Sequence, residues 1–267
     1  MSACSGGSVQ LERLKNGKHS IQYCYITVLD ALPCHRYLSM QTGYSVELSC
    51  LLRMKKIDRD RSHYVGFYDK YLLPKLLNVV MKAPEMTRLR RQLVPLATGK
   101  VLEVGMGSGL NLPFYAPGVQ VTGVDPSLEL LAYAREIATG ARLDVEFLAV
   151  GAEDIPLPDN SFDSAVITWT LCTIPDPDGA LREVRRLLKP GGKLIFAEHG
   201  ASPEPHIARW QRRINPTWKT LAGGCHLNRR PDTLIVTNGF KFDDMQEGYI
   251  PGPKFATYSY RGVASIS

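Results

Sequence analysis

Three glycines at alternate positions, Gly105, Gly107 and Gly109, follow a short apolar run, Lys100-Val-Leu-Glu-Val104, whose acid, Glu103, lies two residues before the first of them. Glycine lacks the Cβ that keeps a ligand off the backbone and tolerates positive φ. The loop is therefore suited to holding a small molecule closely. In open α/β sheets, a glycine loop at the carboxyl end of the first strand is where nucleotide-like ligands bind. The dinucleotide fingerprint needs a glycine three residues after Gly107, and Leu110 stands there. Glu103 would repel a pyrophosphate but can receive an amino acid's ammonium group, directly or through water. A second apolar run (Val119, Val121, Val124) ends in Asp125-Pro126, sixteen residues beyond Gly109. An acid there can accept both hydroxyls of a ribose. The loop with its ribose acid fits a nucleoside and Glu103 fits an amino acid; S-adenosylmethionine is both.

Further stretches follow in order: Val-Thr-Gly-Val-Asp-Pro126, Gly-Ala-Glu-Asp-Ile-Pro-Leu-Pro158, Ser-Phe-Asp163 and Leu-Lys-Pro-Gly-Gly192. With the glycine loop, they make residues from about 64 to 267 resemble the class I S-adenosylmethionine-dependent methyltransferases, of the type 11 sort that includes quinone-biosynthesis C-methyltransferases. The resemblance implies an α/β fold: a Rossmann-like, seven-stranded, mostly parallel sheet with helices on both faces and the last strand antiparallel. It also implies S-adenosylmethionine as cofactor, with Ala152 and Glu153 beside the adenine and Tyr68, of the Tyr68-Asp69 pair, closing over the methionine end. The Glu198-His199 pair and the run Gly224-Cys225 to Leu227-Asn228-Arg229 are more similar to the methyltransferase-like thiol methyltransferases of animal endoplasmic reticulum membranes than to quinone enzymes. His226 departs from that subgroup.

The elements that must position these residues can be read in order. Strands are expected at 100–105, 119–124, 144–149, 161–170, 193–197, 241–249 and 256–265. Helices are expected near 111, cut short by Pro113, and at 127–138, capped by Ser127, with Leu128, Leu131 and Ile137 as its apolar face and an end before Gly140. Others are expected at 178–188 and 231–238, and two or three lie within 63–94, where Tyr64, Tyr68, Tyr71, Leu72, Leu76, Val79 and Val80 keep a helical period and Pro74 opens a second helix. Trp169, Thr170 and Leu171 follow the fourth strand at the point where such sheets open their crevice, and are expected to line the methyl donor's pocket. His199 ends the fifth strand at the same edge. Residues 200–230, rich in Trp, Arg and His, form an insertion suited to shaping an acceptor pocket.

For the cofactor the expected contacts are Glu103, Gly105, Gly107, Gly109, Asp125, Ala152, Glu153 and Thr170. His199 and then His226 are the candidate bases, since an imidazole titrates near neutrality. No metal is expected: Cys225 and His226 are adjacent and do not converge on one point, and no third ligand is spaced for them. Cys172 and Cys225 are expected not to pair. Cys4, Cys24, Cys34 and Cys50 fit neither a metal knuckle nor a disulfide framework, which suggests a reducing setting and a cytoplasmic protein.

The net charge of +6 is concentrated: residues 54–100 carry 11 Lys/Arg against 4 Asp/Glu. A solvated face explains this most simply. Lys70, Lys75, Lys82, Arg88, Arg90 and Arg91 also give 63–94 the character of a segment that rests peripherally on a membrane surface. The chain divides into a poorly ordered extension (1–53), a helical lid segment (54–99) and the catalytic domain (100–267). Met54-Lys-Lys would also be a natural start. No run of 18 uncharged apolar residues is present. The expected activity is methyl transfer to a small-molecule acceptor, thiol or lipid-like, and the alternative is a catalytically inactive nucleoside-binding scaffold of the same fold. A nucleic-acid acceptor is not expected, because Thr168-Trp-Thr-Leu171 stands where such enzymes carry Asn/Asp-Pro-Pro-aromatic.

Overall fold

The computed structural model describes residues 79–141 and 143–267. The expected extension 1–53, the Tyr68-Asp69 pair, Pro74 and most of the lid segment lie outside the described residues. In chain order the elements are α1 (Pro84–Leu93), β1 (Lys100–Val104), β2 (Gln120–Val124), α2 (Leu128–Ala141), β3 (Asp144–Leu148), β4 (Phe162–Thr168), α3 (Pro177–Leu187), β5 (Leu188–His199), α4 (Pro205–Leu221), α5 (Pro231–Thr237), β6 (Phe240–Tyr249), α6 (Lys254–Thr257) and β7 (Tyr258–Ile266). Single 3-10 turns occupy Val94–Leu96 and Leu112–Phe114, the latter at Pro113, which cuts the expected helix to one turn.

The sheet order is β3-β2-β1-β4-β5-β7-β6. β1 to β5 pair in parallel, and β7 runs antiparallel to both β5 and β6. Consecutive strand side chains point to opposite faces, and two cores form accordingly. Leu102, Val104, Ala165, Ile167, Leu194 and Phe196 meet α3 and α5 through Ala180, Leu181, Val184, Leu187 and Ile235. Val101, Val121, Val166 and Ile195 meet α2 through Leu131, Ala134 and Ala138. Covering both faces is what fixes the parallel sheet, and each fully buried Leu or Ile contributes about 2 kcal/mol.

Ser127 caps α2 as expected: its Oγ accepts from the Leu130 amide at 3.2 Å. Two expectations for this helix are corrected. Gly140 lies inside it, because a glycine with open space around its missing Cβ stays helical at modest cost. Leu128 is 63% exposed, and the buried stripe is Leu131, Ala134 and Ala138, since the helix enters one turn before it reaches the sheet. The fifth strand starts earlier than expected, at Leu188, with the Lys189–Gly192 turn taken up as a register shift against β4.

Candidate active site

The carboxyl ends of β1, β2, β4 and β5 carry Gly105, Asp125, Trp169 and His199 to one edge of the sheet. The glycine loop is clasped to β2: the amides of Gly105 and Met106 both donate to Val124 O, at 2.8 and 3.1 Å. Gly105 has φ +70°, and a Cβ there would overlap the Thr170 side chain. Gly109, at φ +78°, lets the backbone of α2 approach: an added Cβ would lie 2.9 Å from Ala134 Cα. Gly107 differs from both. At φ +56°, the nearest atom to its missing Cβ is the loop's own Gly105 O, 4.0 Å away, so its open side is where a ligand can meet bare backbone. Asp125 supports that side. Its Oδ2 accepts from the Gly107 amide and its Oδ1 from the Ser127 amide, both at 2.9 Å. Burial raises its pKa, and these two donors act against the rise. Each carboxylate oxygen keeps lone-pair capacity for a ribose hydroxyl.

Glu103 is buried, and each of its oxygens accepts one hydrogen bond. Asn111 Nδ2 donates to its Oε1 at 3.0 Å and Tyr115 Oη to its Oε2 at 2.8 Å. Arg90 Nε donates to Asn111 Oδ1 at 2.9 Å, and the Arg90 guanidinium lies 4.7 Å from the Trp169 ring centroid. Burial pushes Glu103 up to about 7, against the opposing pull of Tyr115, Asn111 and Arg90. The expectation that Arg90 belongs to a surface basic face is corrected: it is 4% exposed, because its charge is needed beside Glu103 and its Nη1 caps Met81 O. Sequence reasoning gives Arg90, Asn111 and Tyr115 no place in the site. Joining them to Glu103 and to one another requires contacts across 8 to 21 residues that no local pattern announces.

Past β4 the chain turns sharply. Trp169 has φ +52° and its amide donates to Ala197 O at 2.7 Å, while its indole Nε1 is buried without a partner among the described residues. The amides of Thr170 and Leu171 donate to Glu198 Oε1 at 2.8 and 3.1 Å. Glu198 Oε1 thus builds the loop, while its Oε2 is buried without a partner among the described residues, and burial pushes the group up to about 7. Leu171, expected to line the pocket, is fully buried in the core instead, in one apolar cluster with Val104, Ile167 and Leu181. Ala152 and Glu153 sit on the loop after β3. Ala152 is buried, and Glu153 Oε1 accepts from the Asp176 amide at 3.4 Å. Arg186 of α3 holds the same loop through Ile155 O and Leu157 O, at 2.9 and 2.8 Å.

The insertion places α4 beside this edge. Gln211 and Asn215, both buried, anchor it: Gln211 bonds the Ser202 amide, Gly200 O and Phe255 O, and Asn215 Oδ1 accepts from the Leu227 amide. Cys172 and Cys225 are free thiols, as expected. The expectation that Cys225 has no further ligands near it is corrected. Cys172, His199 and Cys225 converge, with one ligand atom of each within 4.8 Å of the others, and His199 Nε2 lies 3.0 Å from Cys225 Sγ. The ligands missing from the sequence pattern are supplied by the end of β5 and the loop after β4, elements far from Cys225 in the chain. His226 does not join them: its amide donates to Cys172 O at 2.8 Å and its half-buried ring stays outside. Burial, together with Arg229 and Lys219, lowers the His226 pKa. Burial also opposes the charged form of His199, yet the Cys225 contact and Glu198 leave its pKa above the ordinary value. The neighbouring Cys172, and then burial, push the Cys225 thiol well up.

This topology, with its open glycine loop and acids at the ends of β1 and β2, is a Rossmann-like fold of the kind seen in solved S-adenosylmethionine-dependent methyltransferases. A solved S-adenosylmethionine-dependent methyltransferase from Thermotoga maritima, possibly a histamine N-methyltransferase by its description, superposes with TM-score 0.53 at 22% identity, over 73% of this chain and 97% of that one. Residues 102–196 match the family model described as a methyltransferase domain. The chain is 39% identical over 157 residues to the rat (Rattus norvegicus) thiol S-methyltransferase TMT1B, covering 57% of this chain and 64% of that protein. It is 36% identical over 136 residues to the demethylmenaquinone methyltransferase of Thermus thermophilus, covering 48% and 62%. The matches thus span just under two thirds of these relatives' length.

Proposed function

We propose that the protein transfers a methyl group from S-adenosylmethionine to a small-molecule acceptor, and that the acceptor is a thiol. The observation that carries the cofactor half is the cradle around Gly107: an open glycine face flanked by an acid whose two oxygens are already aimed by backbone donors. Bound S-adenosylmethionine supplies an electrophilic methyl group on a sulfonium. Asp125 holds the ribose, Glu103 faces the ammonium directly or through water, Ala152 and Glu153 flank the adenine, and Thr170 packs behind Gly105 to fix the loop. Holding the acceptor in line at near-attack distance and excluding water is the chain's main contribution to rate. For a thiol's proton the proposed base is His199, with His226 second to it.

The thiol reading is supported by the likeness to a thiol S-methyltransferase and by the histidine at the end of β5. The second reading is a lipid-like acceptor, supported by the likeness to a quinone-precursor methyltransferase and by the basic stretch of 54–100, for which peripheral membrane contact is proposed. Calorimetry of the full chain tests the cofactor half. S-Adenosylmethionine and S-adenosylhomocysteine should both bind, and Asp125→Ala should weaken both at least tenfold, about 1.4 kcal/mol. Absence of binding to the folded protein would leave only the inactive scaffold. Mass-spectrometric turnover on alkyl thiols, quinols and phospholipid amines tests the acceptor. Methylation of the quinol or amine alone would overturn the thiol assignment.

A further inference from the structure

Two cysteine sulfurs and a histidine nitrogen meet at the carboxyl edge of the sheet. Cys172 comes from the loop after β4, His199 from the end of β5 and Cys225 from the loop after α4, and one ligand atom of each lies within 4.8 Å of the others. A tetrahedral zinc site has Zn–S of about 2.3 Å and Zn–N of about 2.0–2.1 Å, which separates its ligand atoms by about 3.5–3.8 Å. The cluster needs only small side-chain shifts to reach that spacing. Donor and cationic groups border its sulfurs. Trp218 Nε1 points at Cys225 Sγ at 3.5 Å, an N–H donor of the kind that steadies a metal-bound sulfur. The Arg229 guanidinium, fixed by Leu171 O and Ile174 O, lies within electrostatic reach of both sulfurs. His199 Nδ1 has no partner among the described residues, so the Nε2 side is where this ring is held.

We propose that Cys172, His199 and Cys225 bind a zinc ion whose fourth position takes the acceptor thiol. The inference rests on the methyltransferase reading for its substrate but not for its metal. Two thiolates and a neutral imidazole leave the site uncharged and one tetrahedral position open, the arrangement of catalytic rather than structural zinc. An arriving thiol forms a Zn–S bond as its S–H bond breaks, and the proton leaves to solvent. The bound thiolate then uses a lone pair to form the new S–CH3 bond while the sulfonium's C–S bond breaks, its electron pair staying on the departing sulfur. The product thioether is neutral and a poorer ligand, so it dissociates. With zinc bound, His199 serves as a ligand in place of the base proposed above, which accounts for its Nε2 lying against Cys225 Sγ.

The experiment uses the full chain purified under reductant, with metal content by mass spectrometry and cobalt exchange by absorption. The expected result is about one zinc per chain, replaced by Co2+ with thiolate-to-cobalt charge-transfer bands and tetrahedral d–d bands. These bands should be lost in Cys172→Ser and in Cys225→Ser, and a small alkyl thiol should shift them. S-Adenosylmethionine calorimetry on the same variants verifies their fold and keeps the two readings apart. Unchanged cofactor binding with no stoichiometric metal, or a Cys172–Cys225 disulfide in its place, overturns the zinc site and leaves the methyltransferase reading standing. Cobalt bands that no thiol perturbs overturn the substrate position. Full thiol turnover by metal-free protein overturns the role of zinc.

Discussion

Glu103→Gln tests whether the buried acid under the glycine loop behaves as its surroundings dictate. The groups facing it are Arg90 from α1, Asn111 and Tyr115 from the segment after the loop, and Asp125 from the end of β2. Burial outweighs them and raises the carboxyl from 4.5 to about 7. At 1.36 kcal/mol per pH unit, that shift is worth about 3 kcal/mol. A raised acid pKa means that the folded state holds the proton longer than the unfolded chain. Glu103 therefore stabilises the protein fully below about pH 4.5, and this contribution is lost as pH rises to about 7. The amide of the variant can keep both neighbours, accepting from Asn111 and donating to the Tyr115 oxygen once that hydroxyl turns. Urea unfolding of both proteins between about pH 5 and pH 8 should show wild type losing about 2–3 kcal/mol relative to the variant across pH 5–7, then running parallel to it. Glu198 is also pushed up to about 7, but it titrates in both proteins and cancels in the difference. A pH-independent difference would refute the reasoning. If Glu103 receives the ammonium, binding of S-adenosylmethionine near pH 6 should release a proton, read by calorimetry in buffers of different ionisation enthalpy. Glu103→Gln should abolish that release.

Three further outcomes are expected. Gly105→Ala should cost about 3 kcal/mol, combining the left-handed backbone of residue 105 with the overlap on Thr170. Adding Thr170→Ala should return about 1 kcal/mol or more of this in denaturation experiments, and strict additivity would sink the packing argument. Arg186→Ala should destabilise by about 1–2 kcal/mol by freeing Ile155 O and Leu157 O. Hydrogen exchange of the Ile155 amide, held by Glu183 Oε2 at 3.1 Å, should speed up, whereas unchanged protection would show that the loop after β3 is held by something else.

Where the chemistry depends on a local backbone need, the sequence alone determined it. Gly105, Gly107 and Gly109 announce a loop that must take positive φ, and Asp125 announces itself by closing an apolar run. The central strands were legible because a sheet covered on both faces requires near-continuous apolar runs such as Ala165-Val-Ile167 and Leu194-Ile-Phe196. The antiparallel last strand followed from the resemblance. Tertiary structure decided the partners. Nothing local tells that Arg90 leaves the basic surface to serve Glu103, that Glu198 turns inward to hold the Thr170 and Leu171 amides, or that Leu128 faces water. Above all, Cys172, His199 and Cys225 stand 26 to 53 residues apart in the chain. They meet only because adjacent parallel strands deliver their carboxyl ends to one edge and Asn215 and Gln211 dock α4 against it. Spacing rules detect ligands that share one element, and this cluster is assembled from three.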